Sequence, residues 1–375
     1  MARIATFDDW TDLFKVWRED IGLDERIVED YRFEAKFGDL HSTEIEFGDF
    51  AGSAKWQRIR QIPDQRVRDA LLNLIVYQGD TEFASVEQQR HLVETVPSDY
   101  DFHALSRVMC EEMRHGWQMS YLLCTHFGDS GRIEAQKLLE RRAFEHKRLL
   151  GSFNERVNNW LDFFTYTQFI DRDGKFQLQM LSHSGFAPLA ASMGPMLKEE
   201  SFHLGTGNDG LRRVVKAGVV PTSVIQKYFN KWIPTAYDLF GNDHSSSAHW
   251  SYSWGLKGRF DEHDAQEAAD MEHLNEAARL LYRDEISRLT DALNHLLPPG
   301  SPPLLVPDVR FHRGIGEHAG KCFTVDGQPL SKEDYNQYLE RALPSEDDYK
   351  MLDEITSRED WVERKNAPAP RPARG

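Results

Sequence analysis

The pattern of apolar and polar positions changes character near Val67. Before it, aromatic and charged residues are mixed with turn-forming runs such as "EFGDFAGSAKW", so residues 1–60 are predicted to be an irregular lead-in. From Val67 onward the apolar positions recur at helical spacing. "RDALLNLIVYQGDTEFASVEQQRHL" predicts a long helix that ends near "ETVPSDYD", where Pro97 disfavours continuation. A second helix is predicted over about 102–127. "GDSGR" then breaks the chain, and "IEAQKLLERRAFEHKRLL" predicts a helix on a connecting segment. "NNWLDFFTYTQFIDRDGKFQLQML" predicts a third core helix, interrupted near "SHSGFAP", and a fourth begins around Ala190. Further helices are expected at about 222–240 and 263–295. The Pro-rich stretch from Leu296 to Arg310 reads as a linker opening an appendage over 296–365, and 366–375 as a disordered tail. The expectation is an all-α protein with its main domain at 61–295.

Charge inside these helices changes the picture. Around Glu112 the positions one and two turns away are Leu105, Val108, Met109, His115, Gly116 and Met119, so Glu112 and His115 share the apolar stripe. Glu111 falls with Arg107, Arg114 and Gln118 on the polar face and reads as a solvated neighbour. A carboxylate on a buried face is costly unless paired or bound to a metal, which makes Glu112-x-x-His115 a candidate ligand pair. One such pair is weak evidence, but "LKEESFH" supplies another. Glu200 shares its face with Met193, Met196, Leu197, His203 and Leu204, while Glu199 lies off that stripe. Two inward Glu-x-x-His pairs on separate long helices are the signature of a dimetal four-helix bundle, which needs one more carboxylate from each remaining helix.

Antiparallel helices joined by a tight turn bring together residues equidistant from it. Glu82 lies 30 positions before Glu112, and the midpoint is Pro97, in the predicted turn. Asp171 lies 29 positions before Glu200, with the midpoint at Gly185–Phe186, inside "SHSGFAP". Asp173 also has apolar helical neighbours, so periodicity leaves Asp171 and Asp173 open. Glu87, the competitor of Glu82, is flanked by Gln88 and Arg90 and reads as surface. Four carboxylates and two imidazoles make a hard, anionic donor set suited to iron or manganese rather than zinc. The bland alternative is a structural polar network in a bundle core.

Composition narrows the class further. A length of 375 residues and 40% hydrophobic content fit a globular domain with appendages, and a net charge of −16 argues against nucleic acid or an anionic membrane as partner. Cys110, Cys124 and Cys322 form no C-x-x-C pair, which points to a reducing compartment. "MARIATFDDWTDLF" carries no signal-peptide pattern and "LLNLIVY" is too short to span a bilayer, so a cytoplasmic location is expected.

The stretches "QGDTEFASVEQQRH", "CEEMRHGWQMSYLLCTHFG", "DRDGKFQL", "LGSFNE" and "YDLFGNDHSSSA" closely resemble the oxygenase components of the benzoyl-CoA 2,3-epoxidase family. "KEESFH" and "DLFGND" resemble, more distantly, the catalytic subunits of phenylacetyl-CoA epoxidases. The likeness runs from about Phe47 to Phe260. It implies a ferritin-like di-iron fold whose ligands are Glu82, Glu112, His115, Asp171, Glu200 and His203, and so selects Asp171 over Asp173. It also implies an oxygenase that uses O₂ to place one oxygen atom across a ring C–C bond of an aryl-CoA thioester, giving an epoxide and water. Electrons would come from a separate NAD(P)H-dependent reductase, since no flavin, nicotinamide or iron–sulfur motif is visible here.

The sequence departs from that family at several points. It is shorter at the N-terminus and after His203 and Phe260, with Gly116 where a bulkier residue is expected and Phe83 in place of proline. Gly116 would open space beside the metals, or else only permit close helix packing. Gln78 and Gln168, a turn before Glu82 and Asp171, are candidates either to hydrogen-bond those ligands or, along with Gly116, to face the substrate. Arg212, Arg213, Lys216, Lys257 and Arg259 are candidates for the CoA phosphates, and "HSSSAHWSYSWG" for the channel wall. Competing readings are a di-iron hydroxylase or N-oxygenase acting on phenylacetyl-CoA or another carrier-bound acyl group, and an iron-storage relative.

Overall fold

The computed structural model describes residues 4–145, 147–243, 245–262 and 269–365. Helix formation begins earlier than the pattern suggests. Within the predicted irregular lead-in, α1 (Phe7–Asp20) is closed at its start by a capping box in which Thr6 and Asp9 exchange side-chain-to-backbone hydrogen bonds. Its buried face is Trp10, Phe14 and Trp17, spaced four and three residues apart. That stripe is legible only if three aromatics among eight charged or polar neighbours are taken as one face. The remainder of the lead-in is largely turns and extended chain.

Two long hairpins follow. Asp64 caps α2 (Gln65–Gln89), a short 3-10 turn covers Arg90–Thr95, and Ser98 caps α3 (Asp99–His126) just after Pro97. The break expected at "GDSGR" is instead the first turn of α4 (Gly128–Glu140), because Gly128 at φ +56° reverses the chain within one residue. Asn159 caps α5 (Trp160–Leu181), and α6 (Ala187–Ala217) ends at Gly218 in the left-handed conformation. The α2/α3 and α5/α6 hairpins pack together with α3 against α6, giving a ferritin-like bundle. Around it lie α7 (Thr222–Leu239) on α5, α8 (Ser246–Ser253) beside α2, and α9 (Leu274–Asn294) across α5 and α6. α1 and α4 cover the α2/α3 side. α10 (Lys332–Ala342) and α11 (Glu346–Thr356) follow the Pro-rich stretch. Among the described residues no β-ladder forms, only isolated bridges. No described helix is long and apolar enough to cross a membrane. The expected tail, 366–375, and residues 263–268 of the expected helix 263–295 lie outside the described residues.

Glu87, which reads as surface in the sequence, is buried. Its carboxylate accepts from Trp17 Nε1 at 3.1 Å, Arg148 Nη2 at 2.7 Å and the Ala143 backbone N–H at 2.6 Å. Arg148 also reaches Asp80 at 3.1 Å, and Asp80 accepts from the Leu149 N–H at 2.7 Å. This network fastens α1 and the α4–α5 connection to α2, positions that helical periodicity within α2 does not see. Replacing Arg148 with methionine would leave the buried Glu87 carboxylate without an ion-pair partner and Asp80 with only Arg141 at 3.4 Å, so Arg148→Met is expected to destabilise the fold by about 3–5 kcal/mol. A denaturant midpoint close to that of the parent protein would refute the assignment.

Candidate metal centre

The four bundle helices deliver their inward acids to one spot. The donor atoms of Glu82, Glu112 and His115 lie within 4.8 Å of one another, and so do those of Glu112, Glu200 and His203. The rings of His115 and His203 are 5.9 Å apart. Asp171 joins from α5, where its carboxylate feels Glu200 and His203 most strongly among the charged groups. Asp173 points elsewhere and accepts from Gln177 Nε2 at 2.9 Å.

The two histidines are held from behind by acids the sequence pattern dismissed. His115 Nε2 is 3.0 Å from Glu199 Oε2, and His203 Nε2 is 3.1 Å from Glu111 Oε2. Each glutamate just ahead of one Glu-x-x-His pair therefore supports the histidine of the other helix. Glu111 is buried, not solvated; Arg107 donates to it at 2.8 Å. Glu199 is gripped by Arg114 and by Lys36 Nζ at 3.0 Å; His115 and Arg114 outweigh burial to hold its pKa at about 2. Lys36 lies on an extended segment whose backbone donates to Gln118 Oε1 at 2.7 Å and, at Gly38, to Ala191 O at 2.7 Å. A helical wheel places Glu111 and Glu199 off the apolar stripe, but it holds no record of which helix lies against that side. The repeated Glu-Glu dipeptide is the signal that would have found them.

With Nε2 donating outward, Nδ1 of each imidazole is the acceptor nitrogen and faces the acids. His115 Nδ1 is 3.4 Å from Glu82 and 3.6 Å from Glu200; His203 Nδ1 is 3.3 Å from Glu112 and 3.4 Å from Glu200. Neither Nδ1 makes a hydrogen bond, and Asp171 Oδ2 and Glu200 Oε2 are likewise buried without a partner. Burial and the neighbouring carboxylates drive Glu112 and Asp171 well above the usual carboxylate range. For Glu82 burial also pushes upward, but contacts to His115 prevail and hold it below. A convergent set of unsatisfied donor atoms with surplus negative charge fits a pair of divalent cations: four carboxylates balance two of them.

A cavity of about 760 Å³ opens from this spot along α5. Glu82, Glu112, Asp171 and Glu200 line its inner end; Tyr77, Phe240, Trp250 and Trp254 are among the apolar groups on its walls. The expected channel segment contributes Ser245, Ala248, Trp250, Ser251, Tyr252 and Trp254, while His244 lies outside the described residues.

The other anticipated site residues divide. Gln78 lines the cavity and donates to Glu82 Oε1, so it holds a candidate ligand in place. Gln168 is not on the cavity; its side-chain Oε1 accepts from Arg172 Nη2 at 3.5 Å. Gly116 is not on it either, because the Phe83 ring fills the space in front of it, 2.5 Å from where a Cβ would stand. Phe83 in turn packs on Trp10, Phe14 and Trp17 of α1. The two departures from the family pattern are thus one compensating contact. Lys257 and Arg259 line the cavity. Arg213 does not: it is buried and paired with Asp101 and Asp209. Arg212 pairs with Asp209 at 3.0 Å and Lys216 lies 3.8 Å from Glu363, so these three are structural ion pairs rather than a phosphate patch.

The fold is that of a ferritin-like bundle with carboxylate and histidine groups that could hold metal, and the sequence comparisons identify an oxygenase family. Residues 57–258, more than half of the chain, match the family model described as phenylacetic acid catabolic protein, and the chain belongs to that family. It is also 37% identical over 350 residues to benzoyl-CoA oxygenase component B of Aromatoleum evansii, covering 81% of this chain and 73% of that protein.

The Gly116–Phe83 contact is testable by a double-mutant cycle. Gly116→Val is expected to cost about 1–3 kcal/mol by overpacking and Phe83→Ala about 3–5 kcal/mol by leaving a cavity. In the double variant the valine occupies part of the vacated space, so the combined loss falls short of the sum by about 1 kcal/mol or more. Strict additivity in denaturant unfolding would contradict the contact.

Proposed function

We propose that this chain is the oxygenase component of an aryl-CoA epoxidase. In this reading Glu82, Glu112, His115, Asp171, Glu200 and His203 hold two iron ions, and one atom of O₂ is added across a ring C–C bond of a benzoyl-CoA-like thioester. The observation that carries it is the convergence of five donor side chains from α2, α3 and α6, with Asp171 of α5 lining the same cavity, which is large enough for an acyl-CoA head. Family membership and the likeness to a benzoyl-CoA oxygenase component support the reaction class. The bound irons would supply oxygen activation, fed with electrons by a separate NAD(P)H-dependent reductase.

The chain's own residues do the rest. Glu199 and Glu111 fix the orientation and tautomer of His115 and His203, and Gln78 fixes the Glu82 carboxylate. Tyr77, Phe240, Trp250 and Trp254 give the ring an apolar berth and keep bulk water from it. Arg259 lies 3.5 Å from Glu262 and 3.9 Å from Asp261 but, unlike the other paired arginines, lines the cavity, and it is the basic group we assign to the CoA moiety. A second reading, with phenylacetyl-CoA as substrate, is favoured by the family's description.

Metal analysis tests the ligand set. The protein should hold about two irons per chain, and Glu112→Ala or Glu200→Ala should lose them. Glu111→Ala and Glu199→Ala should weaken metal affinity by about 10–100-fold without abolishing it. Full iron retention in both ligand variants would overturn the assignment.

A thioester panel tests the substrate. With O₂, reductase and NAD(P)H, benzoyl-CoA should give a ring-oxygenated CoA ester faster than phenylacetyl-CoA does. The reverse order would favour the second reading, and NAD(P)H oxidation indifferent to every CoA ester would sink both.

A further inference from the structure

Two residues on the cavity wall have no task in the chemistry described above. Gly174 stands in the middle of α5, where glycine weakens a helix relative to alanine. A Cβ placed there meets nothing within 4 Å, so no neighbouring helix requires the glycine. It lines the cavity one turn past Asp171 and on the same face. The open volume in front of it is next to the metal centre.

One turn further along α5, Gln177 lines the same wall. Its amide is fixed from both ends: Nε2 donates to Asp173 Oδ1 at 2.9 Å, and Oε1 accepts from Lys257 Nζ at 2.6 Å. Lys257 is itself pinned by its backbone. Its N–H donates to Ser251 O at 3.1 Å, and the next N–H, of Gly258, donates to Met180 O at 3.0 Å on the last turn of α5. Burial pushes the ammonium's pKa down, with Asp173 opposing at longer range. Among the described residues its hydrogen bond goes to a neutral amide, and an ammonium carries three donors. Half-buried on the cavity wall, the ammonium has donors left over for a ligand's acceptor, and the cavity is where that acceptor would lie.

We propose that the acyl thioester lies along α5 with its ring over Gly174 and its thioester carbonyl oxygen accepting a hydrogen bond from Lys257 Nζ. From Asp171 to Gln177 the helix rises about 9 Å, room for an aryl ring and its carbonyl end to end. This rests on the aryl-CoA reading and deepens it: Lys257 serves the acyl carbonyl, not the CoA phosphates. The contact fixes how deep the ring sits, and it draws electron density from a ring conjugated to that carbonyl.

The test is equilibrium binding to the iron-loaded protein under anaerobic conditions, without reductase. The ligands are benzoyl-CoA, its thioether analogue S-benzyl-CoA, which lacks the carbonyl oxygen, and CoA alone. Lys257→Met should weaken benzoyl-CoA by about tenfold or more, the scale of a lost hydrogen bond to a charged group, and leave the other two ligands unchanged. Gly174→Leu should exclude both aryl ligands and spare CoA. An equal loss on all three ligands with Lys257→Met would place the lysine on the CoA moiety and overturn the proposal. So would unchanged benzoyl-CoA binding. If Lys257→Met does not fold, Lys257→Ser, whose hydroxyl is too short to reach the carbonyl, gives the same readout. If the parent protein binds none of the three, it is the aryl-CoA reading that has failed.

Discussion

Negative charge crowded into a dry interior is the constraint around which this molecule is arranged. Glu82, Glu112, Asp171 and Glu200 are all buried, and they approach one another closely enough that two of them are driven towards the protonated form. Proteins do not keep such a cluster for packing, because apolar residues of the same size would fill a bundle core at no electrostatic cost. Cations relieve it, and the geometry of the unsatisfied atoms says where they would sit. Both histidines, free at Nδ1, complete a donor set that would be a liability without metal.

Holding that set requires more than the donors. The second nitrogen of each imidazole meets a glutamate from the facing helix, and those glutamates are themselves neutralised by Arg107, Arg114 and Lys36. The negative centre is thus ringed by acids, and the acids by cations, each layer restricting the one inside it. α1 and the Asp80–Arg148–Glu87 network do comparable work on the outer face of α2, keeping the helix that carries Glu82 in register.

Much of this was legible in the sequence, for definite reasons. The donor positions follow from helical period and from mirror distances about two turns, both of which are properties of single hairpins. The turns at Pro97 and at "SHSGFAP" are marked by residues that forbid helix or favour a break. What escaped depends on contacts between elements. Glu87, Glu111 and Glu199 look exposed on the wheels of their own helices, and only the arrival of α1, the α4–α5 connection and the opposing hairpin buries the first two and half-buries the third. Arg213 looks like part of a basic run until Asp101 arrives from α3. Gly116 was ambiguous between room for substrate and room for a neighbour, and Phe83, 33 positions earlier, resolves it in favour of the neighbour.

The contact between Lys36 and Glu199 has an implication for control. Lys36 belongs to a strap outside the bundle, 163 positions from the acid it grips, and its side chain is partly in solvent. Anything that lifts the strap, whether a protease or a docking protein, would remove one of the two cations on Glu199, whose other hold is Arg114, and so loosen the support behind the His115 imidazole. The adjusting screw for the innermost part of the molecule is therefore reachable from its exterior.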